Sequence, residues 1–279
     1  MWMKYFWTLG VVCTLLFTSC VSDEKRRLQT DQNFEGEEIY DLSFSLDEHL
    51  LFAFPAFEFY QDTLNHAGLP GCPEVEISLP DSAIILTFGG SACEVETPVR
   101  SGKLVLVFQD SLRIKDSLIV KKGMVRMEYN NYSVNENSVE GMRILYPEDS
   151  TSSGITFRDH SREFVIKKAN GSSSKISGDY SHVVRFALDT IVQVSSSGTG
   201  SGRNMAGRHF DMEISQVKQF DGACFRSGFV LPASGRESWT IERTVEPNVQ
   251  HELTYQAGEG CAHGAVIHLA DGRELTESQ

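Results

Sequence analysis

The sequence predicts a mainly β fold, an antiparallel sandwich or barrel-like sheet with one short helical segment near its N-terminus. Three observations predict it. From Glu74 onward, apolar residues recur with period two in short runs. Turn-forming pairs (Pro80-Asp81, Gly89-Gly90, Asn170-Gly171 and Asp271-Gly272) separate those runs. Only the stretch 45–66 places its apolar residues at three- and four-residue spacing. Many short strands without intervening helices form antiparallel sheets.

A leader precedes this body and takes no part in the fold. Lys4 supplies a positive start, and Tyr5 to Phe17 is almost wholly apolar. That run is too short to span about 30 Å of hydrocarbon as a helix. Leu16-Phe17-Thr18-Ser19-Cys20 resembles a lipobox, with Phe17 where leucine is usual. The reading is a signal peptide over 1–19 and a lipid-modified Cys20 as mature N-terminus. The plainer alternative, an ordinary signal peptide cut nearby, leaves Cys20 as an unexplained odd thiol. Acyl chains contribute about 0.8 kcal/mol per buried CH₂, so several chains hold a protein on a membrane permanently.

Residues 20–41 are polar and acidic, which reads as a flexible tether ahead of a single β-rich domain at 42–279. Ser22-Asp23-Glu24 resembles an acidic export signal that sends lipoproteins of the Bacteroidetes to the outer face of the outer membrane. Carboxylate pairs such as Glu37-Glu38 fall in this tether, where nothing is expected to raise a pKa.

The helical segment near 45–66 begins at Ser45-Leu46-Asp47-Glu48, which fits a capping box. Leu50, Leu51, Phe54, Phe57, Tyr60 and Leu64 form its apolar stripe, expected to pack on a sheet. Pro55 must kink or split the helix, because it lacks an N–H and crowds the preceding turn. Strands are expected at Glu74–Leu79, Ala83–Phe88, Lys103–Phe108, Met124–Tyr129, Glu163–Lys167 and His182–Leu188. Five more follow at Ile191–Val194, His209–Ile214, Ser238–Arg243, Gln250–Tyr255 and Ala265–Leu269. Ser195-Ser196-Ser197-Gly198-Thr199-Gly200-Ser201-Gly202 lacks the Gly-Lys-Ser/Thr of a phosphate loop and reads as a flexible hairpin loop or linker.

With Lys4 removed, 24 basic residues face 38 acidic ones, a net charge of −14. This argues against nucleic acid and anionic membrane surfaces as partners. Of six cysteines, Cys13 leaves with the leader and Cys20 carries lipid. Cys72, Cys93, Cys224 and Cys261 remain, an even number suited to an oxidising compartment. Three pairings exist, and the local one, Cys72–Cys93 with Cys224–Cys261, is favoured because it needs no crossing between halves.

Cys72-Pro73-Glu74-Val75, Leu86-Thr87-Phe88-Gly89, Cys93, Arg100-Ser101-Gly102-Lys103 and Val139-Glu140-Gly141 make a recognisable succession. It resembles a family of uncharacterised Bacteroidetes lipoproteins, over roughly 70–145 and more weakly over 198–272. The resemblance implies an envelope compartment and a β fold, and it carries no activity or catalytic residue. Exported proteins of that group take O-glycans at Asp followed by Ser or Thr and a small or apolar residue. Thr63, Ser82, Ser111, Ser117, Ser150 and Thr190 stand in such tripeptides. Fifteen aspartates would yield roughly one match by chance, so six make a motif hypothesis. Asp-Ser and Asp-Thr are also good turn starters.

No catalytic residue, metal site or cofactor is assigned. His263 and His268 lie five apart, on opposite faces of a strand. Asp159-His160-Ser161 holds three triad residue types, but triads are assembled from distant segments, so it reads as a polar loop. Trp239, Tyr129, Tyr132 and Tyr255 could face sugars, although aromatics in strands are more often core. The expectation is a lipid-anchored cell-envelope protein at the outer membrane, on its periplasmic or cell-surface face. Its role is structural, adhesive or ligand-binding, for a glycan or protein ligand not identified. The alternative is an envelope hydrolase acting on glycan or peptide.

Overall fold

The computed structural model describes residues 23–89, 98–114, 117–151, 154–188, 190–243 and 247–278, with side chains from Gln32 onward apart from 113–119. It is mainly β. Among the described residues, thirteen strands form one antiparallel sheet in strict chain order, and the sheet does not close on itself. They are β1 (Glu74–Ser78), β2 (Ala83–Phe88), β3 (Arg100–Ile114), β4 (Ser117–Val134), β5 (Asn137–Thr151), β6 (Gly154–Lys167) and β7 (Ser173–Ala187). The meander continues through β8 (Thr190–Arg203), β9 (His209–Asp221), β10 (Ser234–Ile241), β11 (Val249–Gln256), β12 (Gly264–His268) and β13 (Glu274–Ser278). All eleven expected strands lie in this ladder, and β5 and β13 are additions. It is one barrel-like open sheet, not a two-sheet sandwich.

Helix α1 (Asp23–Asp47) runs inside the sheet. Ser43 bonds to Glu237 on β10, Asp47 to Lys218 on β9, and Glu48 to Arg100 on β3 and Tyr132 on β4. One helix can touch β3, β4, β9 and β10 together only if the sheet curls around it. Ile39, Leu42, Phe44 and Leu46 are buried with Trp239, Ile241, Leu253 and Ile267 in a single core. A tether over 20–41 is therefore corrected for the described side chains. Glu35, Gly36, Glu38 and Ile39 are buried. The segment looks solvated in sequence because its acids meet bases far along the chain, as Glu35 does with Arg208 and Arg243 and Asp41 with Lys168.

The helical segment also differs from expectation. α1 ends at Asp47, and 3₁₀ turns at Leu50–Ala53 and Thr63–Gly68 flank a short helix α2 (Phe57–Gln61). Pro55 splits the stretch as expected. Ser45 is no cap: it lies inside α1 with its hydroxyl unpaired, and Glu48 turns to Arg100 instead. Leu50, Leu51, Phe54 and Tyr60 are buried, whereas Leu64 is 83% exposed.

The serine–glycine run is not a loop or linker but the middle of β8. Its glycines make room for Tyr180 on β7. A Cβ at Gly198, where φ is +151°, would come within 2.6 Å of Asp179 O, and one at Gly200 within 2.9 Å of the Tyr180 hydroxyl.

The meander fixes two rims. The β1–β2, β3–β4, β5–β6 and β7–β8 turns lie on one, hereafter the far rim; the β6–β7, β8–β9, β10–β11 and β12–β13 turns lie on the other. Glu35 meets Arg208 and Arg243 and Asp41 meets Lys168, so α1 enters at the near rim. Phe54 packs on Phe157 at the start of β6, so the segment leaves at the far rim.

Candidate functional site

Buried charge on the concave face is concentrated around the end of α1. Along β7 the inward places are Ser174, Ile176, Gly178, Tyr180, His182 and Val184, so the strand's period alone puts His182 inside. The same alternation in β6 turns Asp159 and Ser161 inward and His160 outward to Asp179. This corrects the polar-loop reading of Asp159-His160-Ser161, which is the centre of a strand.

Arg143 on β5 donates to Asp159 from Nε at 3.0 and 2.8 Å and from Nη2, and its Nη1 donates to the Leu46 carbonyl. His182 lies 3.0 Å from Asp159 through Nε2 and 2.7 Å from the Ser196 hydroxyl through Nδ1. Asp159, His182 and Ser196 thus form an acid–imidazole–hydroxyl relay across β6, β7 and β8. Burial opposes ionisation of Asp159, but the Arg143 guanidinium overrides it and holds the carboxyl at about 2. Burial pushes His182 and His49 below the ordinary histidine value.

Two further clusters adjoin it. Glu48 accepts from Arg100 Nε at 2.8 Å and from the Tyr132 hydroxyl at 2.7 Å, and His49 Nε2 lies 2.7 Å from the Tyr129 hydroxyl. Arg100 carries the Glu48 carboxyl below its usual value against the burial. Lys218 donates to Asp47 at 2.5 Å and to Glu237 at 2.7 Å. Burial, with Glu237 sharing the single ammonium, pushes Asp47 up to about 6. Nearer the helix entry, Glu38 is pushed up to about 7 by burial, only partly offset by hydrogen bonds from Ser174 and Met205. The expectation that nothing would raise a pKa in Glu37-Glu38 is corrected, since Glu38 is inside the sheet.

These groups resemble a catalytic constellation in composition and differ from one in access. Asp159, His182 and Ser196 are 0, 2 and 1% exposed, and Arg143, Glu48 and His49 are at most 1% exposed. Phe54 lies edge-on to His182 at 5.6 Å and closes the relay from the far rim. Buried ions that satisfy one another fix an arrangement; a substrate cannot reach them without rearrangement. Among the described residues no group of three or more His, Cys, Asp or Glu could hold a metal.

The open concavities lie elsewhere. At the far rim a trough of about 710 Å³ is walled by Phe54, Phe57, Phe108, Val125 and Phe157, with Glu58, Asp110 and Lys122 at its edge. A second trough of about 520 Å³ lies on the other side of Phe54–Ala56, against Phe59, Ile155, Phe186 and Leu188. On the outer face of β7–β10 a third, polar groove of about 500 Å³ runs past Ser177, Asp179, Thr199, Asp211 and Glu213.

Cys20 lies outside the described residues. Cys224 and Cys261 form a disulfide, as expected, with Cα atoms 5.2 Å apart. Cys72 is disulfide-bonded, and Cys93, the partner expected for it, lies outside the described residues. Thr63, Ser82, Ser111, Ser150 and Thr190 are all exposed, and Ser117 opens β4 with its side chain outside the described set. Trp239, Tyr132 and Tyr255 are core residues, as strand aromatics usually are. His263 is buried in the turn before β12, and His268 on β12 pairs with Glu274.

Sequence reasoning missed Arg143, His182, Ser196, Lys218 and Glu237. Their signal was a polar residue at an inward place of a period-two strand, which stands out only after the strand's face is assigned. Among the described residues, no helix is long and apolar enough to cross a membrane. No family model, curated protein or solved structure matches the chain.

Proposed function

We propose that this chain is a lipid-anchored cell-envelope protein whose role is binding or adhesion rather than catalysis. Acyl chains on Cys20 would hold it to the outer membrane. The helix enters the sheet at the near rim, so an anchor a few residues before it would sit on that side and leave the far rim facing away. The observation that carries the reading is the contrast in access. The clustered titratable groups are sealed and, apart from one Glu38 oxygen and the Tyr180 hydroxyl, hydrogen-bonded to one another or to the backbone, while the solvent-open troughs at the far rim are lined by aromatic side chains.

The Asp-Ser/Thr tripeptides support the same orientation. Ser82, Ser111, Ser117, Ser150 and Thr190 belong to four turns of the far rim, and Thr63 lies in the 3₁₀ turn at the lip of the second trough, beside Asp62. O-glycans at these positions would crown the distal end. Intact-mass analysis of the mature protein tests both points. The expected mass starts at an acylated Cys20 with hexose-containing increments, and Cys20→Ala moves the protein to the soluble fraction. An unacylated N-terminus elsewhere would contradict the anchor.

The Asp159–His182–Ser196 relay favours one second reading, a hydrolase whose site opens beneath Phe54. A fluorophosphonate probe separates the two. The binding reading predicts no labelling of Ser196 in the native protein or in Phe54→Ala, and labelling abolished by Ser196→Ala would establish the hydrolase.

A further inference from the structure

The far rim carries most of the exposed large apolar side chains. Leu64, Leu79, Val120, Leu188 and Val192 lie there at 83, 65, 64, 97 and 41% exposure; among the described residues only Val99 and Val217 match them elsewhere. Scattered single exposures need no explanation, but a group beside two apolar troughs marks an interaction face. Leu188 is the strongest case. It sits in the β7–β8 turn with φ of +56°, a conformation leucine rarely adopts, and it projects from the lip of the second trough.

From this geometry we infer that the far rim docks a basic polypeptide segment bearing two apolar anchors. The troughs lie on either side of Phe54–Ala56, which both share as a wall. They reach from Ser82 beside β2 to Phe186 on β7, five strand spacings. At about 4.8 Å each that is roughly 24 Å, the length of about seven extended residues. A small molecule would fill one trough, whereas an extended segment can seat one side chain in each and cross the ridge between.

Charge selects the flanks. Glu58, Asp62 and Asp110 edge the troughs, exposed and without an ion pair among the described residues, against Lys122, the one base among the described residues that line them. A second copy of this acidic chain would bring like charges together, and an acidic segment would do the same. Lysine or arginine beside the anchors would pair with these carboxylates. The inference rests on reading the far rim as the binding face; loss of the acyl mass at Cys20 would leave it standing.

Labelled nine-residue peptides test it on the full mature chain in detergent, by fluorescence anisotropy at low salt. One set carries two phenylalanines three to six residues apart flanked by lysines, and its twin set carries glutamates in place of the lysines. At least one lysine peptide is expected to bind tenfold or more tightly than its twin. That affinity should fall at least tenfold in Leu188→Glu and in Glu58→Lys/Asp62→Lys, all exposed positions where circular dichroism confirms the fold. Equal binding of the two sets, no binding by either, or undiminished binding to both variants would overturn the inference. So would sedimentation showing a dimer that Leu188→Glu disperses, which would assign the rim to a second copy.

Discussion

Arg143 neutralises Asp159 and ties β5 to the end of α1 through the Leu46 carbonyl. Arg143→Met should destabilise the fold by about 3–5 kcal/mol, since it strands a buried carboxylate. Adding Asp159→Asn should recover part of that loss, and urea unfolding of the double-mutant cycle measures how much. Glu38 makes the opposite prediction with pH. Its folded value of about 7 lies above the 4.5 of a free glutamate, so its stabilising contribution is complete below about 4.5 and lost as pH rises through 7. Glu35 and Asp159, held at about 2, act in the other sense and lose their contribution as the pH falls toward 2. Glu38 thus pulls the stability maximum toward acid pH, against the buried His182 and His49, whose lowered values cost stability as the pH falls below the ordinary histidine range. Glu38→Gln, which cannot ionise, should flatten the fall between pH 5 and 8 and gain about 3 kcal/mol over the wild type at pH 8. A Glu38→Gln variant no more stable than the wild type at pH 8 would refute this. None of these pairings was legible in the sequence, because each partner is a strand or more away and ion pairing leaves no local pattern.

At the scale of elements, legibility followed period. Strands with clean alternation, such as β2 and β12, were found to within a residue at each end. β8 was found only over Ile191–Val194, because the glycines that admit the Tyr180 ring carry no apolar signal. Gly200→Ala should cost about 1–3 kcal/mol by crowding that ring and Ile176, read as a lower denaturation midpoint. α1 was misplaced for a related reason: its buried acids lower its mean hydropathy to that of a tether. The Cys224–Cys261 disulfide needed only the compartment and local pairing to be read. It spans 37 positions, so reducing it should cost about 4 kcal/mol in the chain-entropy model, measurable as a shift in urea midpoint with reductant.

For the whole molecule, helix and sheet share one core: the described strands do not close on themselves, and Ile39, Leu42, Phe44 and Leu46 of α1 are buried among their inward side chains. The sequence foretold a mainly β antiparallel fold, left sandwich and barrel open, and gave no sign of what fills the sheet. The candidate site divides the same way. The far-rim aromatics Phe54 and Phe57 were visible as an apolar stripe expected to pack on a sheet, and only the fold shows that they also wall an open trough. If the acidic N-terminal segment is the axis of the fold, hydrogen–deuterium exchange of the native protein will register it. Amides of residues 36–47 should exchange as slowly as those of β5–β7, through global unfolding alone. Exchange of that segment within seconds, while the sheet stays protected, would place it outside the core as a tether.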